Sequence, residues 1–356
     1  MNWLNFFGVP ALRQIPNERA TPARLNFRLP GRGTAGDGAV SESDIDKSKT
    51  GESKNDERAL PKQTQFKRSF KKSVAFVSIS CISCLLGVYL ALFPPLAPDL
   101  WNFILFPATK GRFDMSKELT VMSDALHCQC TDLFFAAPDG ACLHAYYFSL
   151  PGAKKTALVS HGKGGVLQHR LPLAYMLIQA GCSVFLYDYE GYGESTGTAN
   201  LTNVCQDCEA AFDYLTSRLR VNPANIILYG ESMGTGVSCE VSRHRPAGAL
   251  ILQSGFASLY EAGIDTLPLV RLYPRWCFPS PQMDNAEILK GPHPPLLLIH
   301  GQKDVILPCR YSEQIMAAAA EPKKLLLLPD ADHNDFGRFD VEESLAALKD
   351  FIAGLN

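Results

Sequence analysis

Ala224-Asn-Ile-Ile-Leu-Tyr-Gly-Glu-Ser-Met-Gly-Thr-Gly236 is the stretch that decides the fold. An apolar β-run, Ile226, Ile227, Leu228 and Tyr229, leads into Gly230-Glu-Ser-Met-Gly234 and then into a helix-compatible segment. Strand, glycine-flanked serine and helix in that order make a nucleophile elbow, a sharp turn that lifts a serine hydroxyl above a sheet. Gly230 and Gly234 lack the Cβ atoms that would collide where strand and helix approach. Ser232 is therefore the candidate nucleophile.

Short apolar runs repeat on both sides of this stretch. Residues 131–137 and 141–150 flank Pro138-Asp-Gly140 and read as a β-hairpin. Further strands are expected at 156–160, 183–187, 226–229, 249–253, 296–299 and 324–328, with helices near 167–180, 204–219, 233–243, 310–320 and 340–353. Continuous apolar strands alternating with helices predict an α/β fold whose mostly parallel, eight-stranded sheet carries helices on both faces.

A serine at neutral pH needs a base within hydrogen-bond reach, and the base needs an acid to orient it. On sheets with such an elbow the partners follow in the order Ser, acid, His, each at the carboxyl end of a later strand. The run Pro295-Leu-Leu-Leu-Ile-His-Gly301 ends in Gln302-Lys-Asp304, and Lys324-Leu-Leu-Leu-Leu-Pro329 ends in Asp330-Ala-Asp-His333. Asp304 and His333 occupy the two expected strand ends, although either alone could be an ordinary turn residue. Glu231, Asp330, Asp332 and Asp335 are rival acids. They are set aside because immediate neighbours of the nucleophile or base cannot readily reach the far imidazole nitrogen.

An oxyanion intermediate needs backbone donors. The N–H of Met233, first residue after the nucleophile, is one, and the helix dipole favours negative charge there. The second is expected from the glycine-rich loop His161-Gly-Lys-Gly-Gly165, where we choose the Lys163 N–H, with Gly164 as the fallback. His161 reads as a structural residue of that turn. The loop has neither the P-loop spacing nor G-x-G-x-x-G, so no nucleotide cofactor is expected.

Upstream, residues 73–93 contain no charge and are long enough for a helix to cross a bilayer's hydrocarbon core, roughly 30 Å. Residues 73–96 are read as a transmembrane helix, 1–72 as a disordered cytoplasmic tail and 97–127 as a juxtamembrane connector. Leu100-Trp-Asn-Phe-Ile-Leu-Phe106, inside that connector, has the character of a piece resting at the membrane interface. Arg58, Lys62, Lys67, Arg68, Lys71 and Lys72 precede the span, so the positive-inside rule puts the N-terminus in the cytoplasm and the rest outside it. The catalytic domain is expected over 128–356, with 259–291 as a small apolar cap suited either to lining an acyl pocket or to ordinary packing.

The formal net charge of −2 argues against a nucleic-acid partner. The eleven cysteines follow no framework spacing, and Cys128-x-Cys130 and Cys205-x-x-Cys208 read as buried thiols or a disulfide rather than a zinc site, so no metal is expected. Asn200-Leu-Thr202 is a glycosylation sequon if the domain is lumenal and the source eukaryotic.

His161-Gly162, Asp188-Tyr-Glu-Gly-Tyr-Gly-Glu-Ser195, Gly230-Glu-Ser-Met-Gly234, His300-Gly-Gln-Lys-Asp304 with Leu307-Pro308, and His333-Asn-Asp335 together resemble the α/β-hydrolase superfamily over residues 131–356. The likeness is to its small, often single-span membrane-anchored serine hydrolases. It implies ester, thioester or, less often, amide hydrolysis through an acyl-enzyme, without cofactor or metal. Two departures bear on substrate: Lys163 stands where relatives often have Asn, and Glu190 where they often have Arg. The expectation is a membrane-anchored serine hydrolase acting on a lipophilic ester, thioester or acylated substrate. A serine peptidase, an acyltransferase and a non-catalytic hydrolase-fold binding protein are the alternatives, and oligomeric state is not legible.

Overall fold

The computed structural model describes residues 60–336 and 340–355. Most of the expected disordered tail, 1–59, lies outside the described residues. Residues 60–72 correct that expectation, because they belong to one continuous helix, α1 (Leu60–Ala91). Pro61 sits in the first turn, where its missing N–H costs nothing, and neither proline nor glycine follows before Gly87. Among the described residues one helix, Ser73–Ala91, is long and apolar enough to cross a membrane. Its side chains from Ser73 to Val88 are exposed. The helix closes at Ala91, short of the expected residue 96, ahead of a 3-10 turn at Pro94–Leu96.

The chain from Leu90 onward forms a separate compact unit. The segment expected as a connector is part of its packing. Helices α2 (Pro98–Leu105) and α3 (Ser116–Leu126) bury Trp101 and Met122, and Phe106 and Met115 are buried beside them. The indole of Trp101 donates from Nε1 to the Leu92 carbonyl at 3.1 Å and stands edge-on to Phe278 and Tyr273, with centroids 5.3 and 6.2 Å away.

All eight expected runs are strands: β1 (Gln129–Ala136), β2 (Cys142–Ser149), β3 (Lys155–Ser160), β4 (Cys182–Tyr187), β5 (Ile226–Glu231), β6 (Ala249–Gln253), β7 (Leu296–Gly301) and β8 (Lys323–Leu328). Their order in the sheet is β1-β2-β4-β3-β5-β6-β7-β8. The β1–β2 and β2–β4 pairings are antiparallel, and the remaining five are parallel. Helices α4 (Leu171–Gln179), α5 (Leu201–Ser217), α6 (Met233–Ser242), α7 (Leu259–Thr266), α8 (Asn285–Ile288), α9 (Arg310–Ala318) and α10 (Val341–Ala353) complete the order.

Alternation along each strand explains the apolar runs, since successive side chains enter opposite faces. Leu228, Leu250 and Leu298 pack with Val204 and Ala211 of α5 and Val237 of α6 in one core. Ile227, Tyr229, Ile251 and Ile299 pack in the other with Leu177 of α4, Met122 of α3 and Leu348 of α10. A sheet buried on both faces leaves polar chemistry to its strand ends. Ser160 of β3 lies beside Gly230 of β5, Glu231 beside Gln253 of β6, and Gly301 of β7 beside Leu328 of β8, so the loops that follow open on one rim.

Candidate active site

Ser232 joins β5 to α6 with φ +53° and ψ −113°, a conformation that a non-glycine residue adopts only when its surroundings hold it there. The Ser232 N–H donates to the Gln253 carbonyl at 2.9 Å, and its own carbonyl accepts from the Thr235 N–H at 3.0 Å and hydroxyl at 2.6 Å. The flanking glycines are required by contact. A Cβ on Gly230 would lie 2.4 Å from the Gly234 carbonyl oxygen, and one on Gly234 would lie 1.9 Å from that of Ser160.

The three predicted side chains meet. His333 Nε2 is 3.0 Å from Ser232 Oγ, and His333 Nδ1 is 2.7 Å from Asp304 Oδ2. A carboxylate only accepts, so Nδ1 carries the proton of the neutral ring and Nε2 accepts from the serine hydroxyl. Asp304 is held from both sides. Its Oδ1 accepts from the amides of Ile306 at 2.9 Å and Leu307 at 2.8 Å. Its Oδ2 also lies 3.2 Å from Nε2 of buried His300. Burial alone would raise the Asp304 carboxyl, but the hydrogen bonds from His300, His333 and Leu307 outweigh it and hold the group well below the usual carboxylate range.

The rival acids are occupied elsewhere. Glu231 takes a bidentate pair from Arg170, Nε at 2.8 Å and Nη2 at 3.2 Å. Burial opposes its charge, yet Arg170 wins and the Glu231 pKa is lowered. Asp330 pairs with Lys303 at 2.6 Å. Asp332 Oδ1 accepts from the Val305 amide at 3.2 Å and the His333 amide at 2.7 Å, tying the loop of His333 to that of Asp304.

Met233 opens α6, so its N–H is among those a helix leaves without an intrahelical acceptor. The loop carrying Lys163 has its carbonyls fixed one after another. Tyr189 Oη donates to His161 O at 2.9 Å, His161 Nδ1 to Gly162 O at 2.7 Å, and Tyr192 Oη to Lys163 O at 2.8 Å. A trans peptide sets N–H opposite C=O, so the bond from His161 fixes the direction of the Lys163 N–H. Burial, with Arg170 nearby, pushes His161 down to about 3, which keeps the ring neutral. His161 Nε2 faces Asp188 Oδ1 at 3.5 Å, and burial lifts that carboxyl to about 7.

A cavity of about 160 Å³ opens at Ser232 and Met233. Its other walls are Leu259, Tyr260, Leu267, Val270 and Phe278 of the cap, Phe256, Leu307, and Trp101, Ile104 and Leu105 of α2. Among the described residues Lys163 is the single charged one lining it. Of the two departures from the family pattern, only Lys163 borders this space. Glu190 instead accepts from the Thr198 amide at 2.9 Å and from Asn203 Nδ2 at 3.0 Å, within its own loop.

Sequence reasoning quoted His300 only as part of the family pattern, without a role, and missed Arg170 and the contribution of α2 to the cavity. The role of His300 could have been found from its placement in a strand end four residues before the acid; no sequence signal pairs Arg170 with Glu231. The described residues contain no group of three or more His, Cys, Asp or Glu able to hold a metal ion, and the thiols of Cys128, Cys130, Cys205 and Cys208 are free. Asn200 of the sequon caps α5, its Oδ1 accepting from the amides of Thr202 and Asn203.

Comparison with known proteins places this chain in a class. Residues 151–290 match the family described as serine aminopeptidase, S33, a stretch that includes Ser232 and stops before Asp304. Protein Rv2307c of Mycobacterium tuberculosis is 36% identical over 230 residues, 62% of this chain and 78% of that one. Human alpha/beta hydrolase domain-containing protein 17B is 31% identical over 206 residues, 57% of this chain and 68% of that one. The solved esterase Pf2001 of Pyrococcus furiosus shares the fold at 18% identity, with a TM-score of 0.56 over 70% of this chain and 96% of that one. The chain belongs to the α/β-hydrolase superfamily.

Proposed function

We propose that the protein is a membrane-anchored serine hydrolase that cleaves a carboxylic ester or thioester with a lipophilic acyl group. The observation that carries this reading is the relay Ser232–His333–Asp304, at 3.0 and 2.7 Å, opening into an apolar cavity. Ser232 Oγ attacks the carbonyl carbon while His333 Nε2 takes its proton, and Asp304 stabilises the imidazolium. The amides of Met233 and Lys163 hold the oxyanion. His333 returns the proton to the departing alcohol or thiol, leaving an acyl-enzyme. Water, deprotonated by the same ring, then releases the acid and restores the serine.

The apolar walls support a lipophilic acyl group, and the Ser73–Ala91 helix supports anchoring. The basic residues before that helix favour a cytoplasmic N-terminus and an extracytoplasmic catalytic domain. The S33 match favours a second reading, an aminopeptidase. Against it, a substrate's α-ammonium would meet a lysine, with no carboxylate among the described residues that line the cavity. A panel of esters, thioesters and aminoacyl amides of graded acyl length, run on wild type and Ser232→Ala, tests the assignment. Serine-dependent turnover that rises with acyl length supports it, and turnover confined to aminoacyl amides contradicts it.

A further inference from the structure

Three segments bring exposed apolar side chains to the cavity. Ile104 of α2, Leu267 of the cap and Ile306 after β7 line the cavity and are also 39%, 36% and 49% exposed. Each of these elements exposes a further large apolar side chain, Phe103 at 70%, Trp276 at 78% and Val305 at 82%. Exposure on this scale around a cavity mouth marks an interaction surface.

The chain itself says what covers it. Residues 92–97 alone separate the end of the apolar helix at Ala91 from Pro98, where α2 begins. That link is folded: the Ala97 N–H donates to Phe93 O at 3.0 Å, and Trp101, a cavity wall, donates to Leu92 O at 3.1 Å. Phe93 in turn packs on Tyr273 of the cap, with centroids 6.0 Å apart. The wall of the cavity is thus hydrogen-bonded to the residue that follows the apolar helix, Leu92, so the chain between that helix and the cavity is short and folded. An exposed tryptophan with an apolar body and a polar N–H suits a membrane boundary.

We infer that this rim is seated in the leaflet from which the span emerges, and that the occupant of the surface is the bilayer, so lipophilic esters pass from the leaflet into the cavity without crossing water. This rests on the proposed membrane-anchored hydrolase. It goes further in making α2 and the cap a substrate port rather than a cover.

The test uses the full chain in phosphatidylcholine nanodiscs with or without doxyl-labelled lipid. The Trp276 signal is the difference in emission between wild type and Trp276→Ala. Lipid nitroxide is expected to remove most of that signal and aqueous iodide little of it; the reverse pattern overturns the proposal. A second arm uses Leu272→Glu with Trp276→Glu, two exposed positions that do not line the cavity. Turnover of a long-chain ester dissolved in the bilayer is expected to fall about tenfold, while a water-soluble short-chain ester is retained within about twofold. Equal effects on both esters count against the port. A wild type that turns over neither ester removes the catalytic reading, and the Trp276 signal still decides the docking.

Discussion

The Nε2 of His300 lies 3.2 Å from Oδ2 of Asp304, the same oxygen that receives Nδ1 of His333 at 2.7 Å. His300 Nε2 also faces Leu307 O at 2.7 Å, and its Nδ1 lies 2.6 Å from Ser312 Oγ. One buried ring thereby ties the acid to β7 and α9. His300→Gln is expected to lower kcat about tenfold with KM little changed, since the ring acts through Asp304 and not on substrate. Asp304 is held below its usual range partly by this bond, so removing it raises the Asp304 pKa. The stability that ionised Asp304 contributes above the ordinary carboxylate range, and that is lost on acidification, should therefore be smaller in the variant, which urea unfolding across acidic pH reads directly.

Arg170 and Glu231 form a largely buried pair beside Ser232, with side chains 12% and 14% exposed. Arg170→Met leaves a carboxylate buried without its partner and should cost about 3–5 kcal/mol of stability. Adding Glu231→Met should restore much of that loss. Urea unfolding of the single and double variants checks it.

Stability should fall as pH rises from about 4 to about 8 through two buried acids. Burial lifts Asp188 to about 7 and Asp207 to about 8, so between the unfolded value of 3.8 and these values the folded protein binds more protons than the unfolded one. Above the folded values the full cost is present. Asp207→Asn should flatten the upper part of that slope, as thermal unfolding across the pH range will measure. Asp304 acts in the opposite direction, its contribution fading as pH falls below the ordinary carboxylate range.

Gly234→Ala should be far more damaging than a glycine-to-alanine change in open helix. Its Cβ would meet the backbone of Ser160, which belongs to a central strand and cannot move aside. About 3 kcal/mol or more of destabilisation is expected, against about 1 kcal/mol gained where an exposed helical glycine is replaced. Expression level and unfolding midpoint give the comparison.

The elbow and the strand ends were legible because their causes are local. A parallel strand buried on both faces must be a short apolar run, and a turn as tight as that at Ser232 must have glycine at 230 and 234. The fate of residues 97–127 was not legible. Trp101 reads equally as an interfacial anchor or a core residue, and what settles its burial is Phe278, far downstream in the cap. The cap shows the same difficulty at finer grain. Leu272, Tyr273, Trp276 and Cys277 are all apolar, yet Tyr273 and Cys277 are buried while Leu272 and Trp276 face outward. Short 3-10 turns impose no long periodicity from which this could be read. The pairing of Arg170 with Glu231 was hidden for a similar reason, since only the finished sheet brings the end of β5 beside the segment that leads into α4.

The central claim is that Ser232 is a nucleophile because His333 and Asp304 make it one. Its most direct measurement is the rate of covalent fluorophosphonate labelling of the full chain, located by peptide mass spectrometry, in wild type, Asp304→Asn and His333→Ala. A single adduct on the Ser232 peptide, formed at least about a hundredfold more slowly in both variants, is the expected result. An adduct on another residue, or labelling of Ser232 that is indifferent to the loss of His333, contradicts the account.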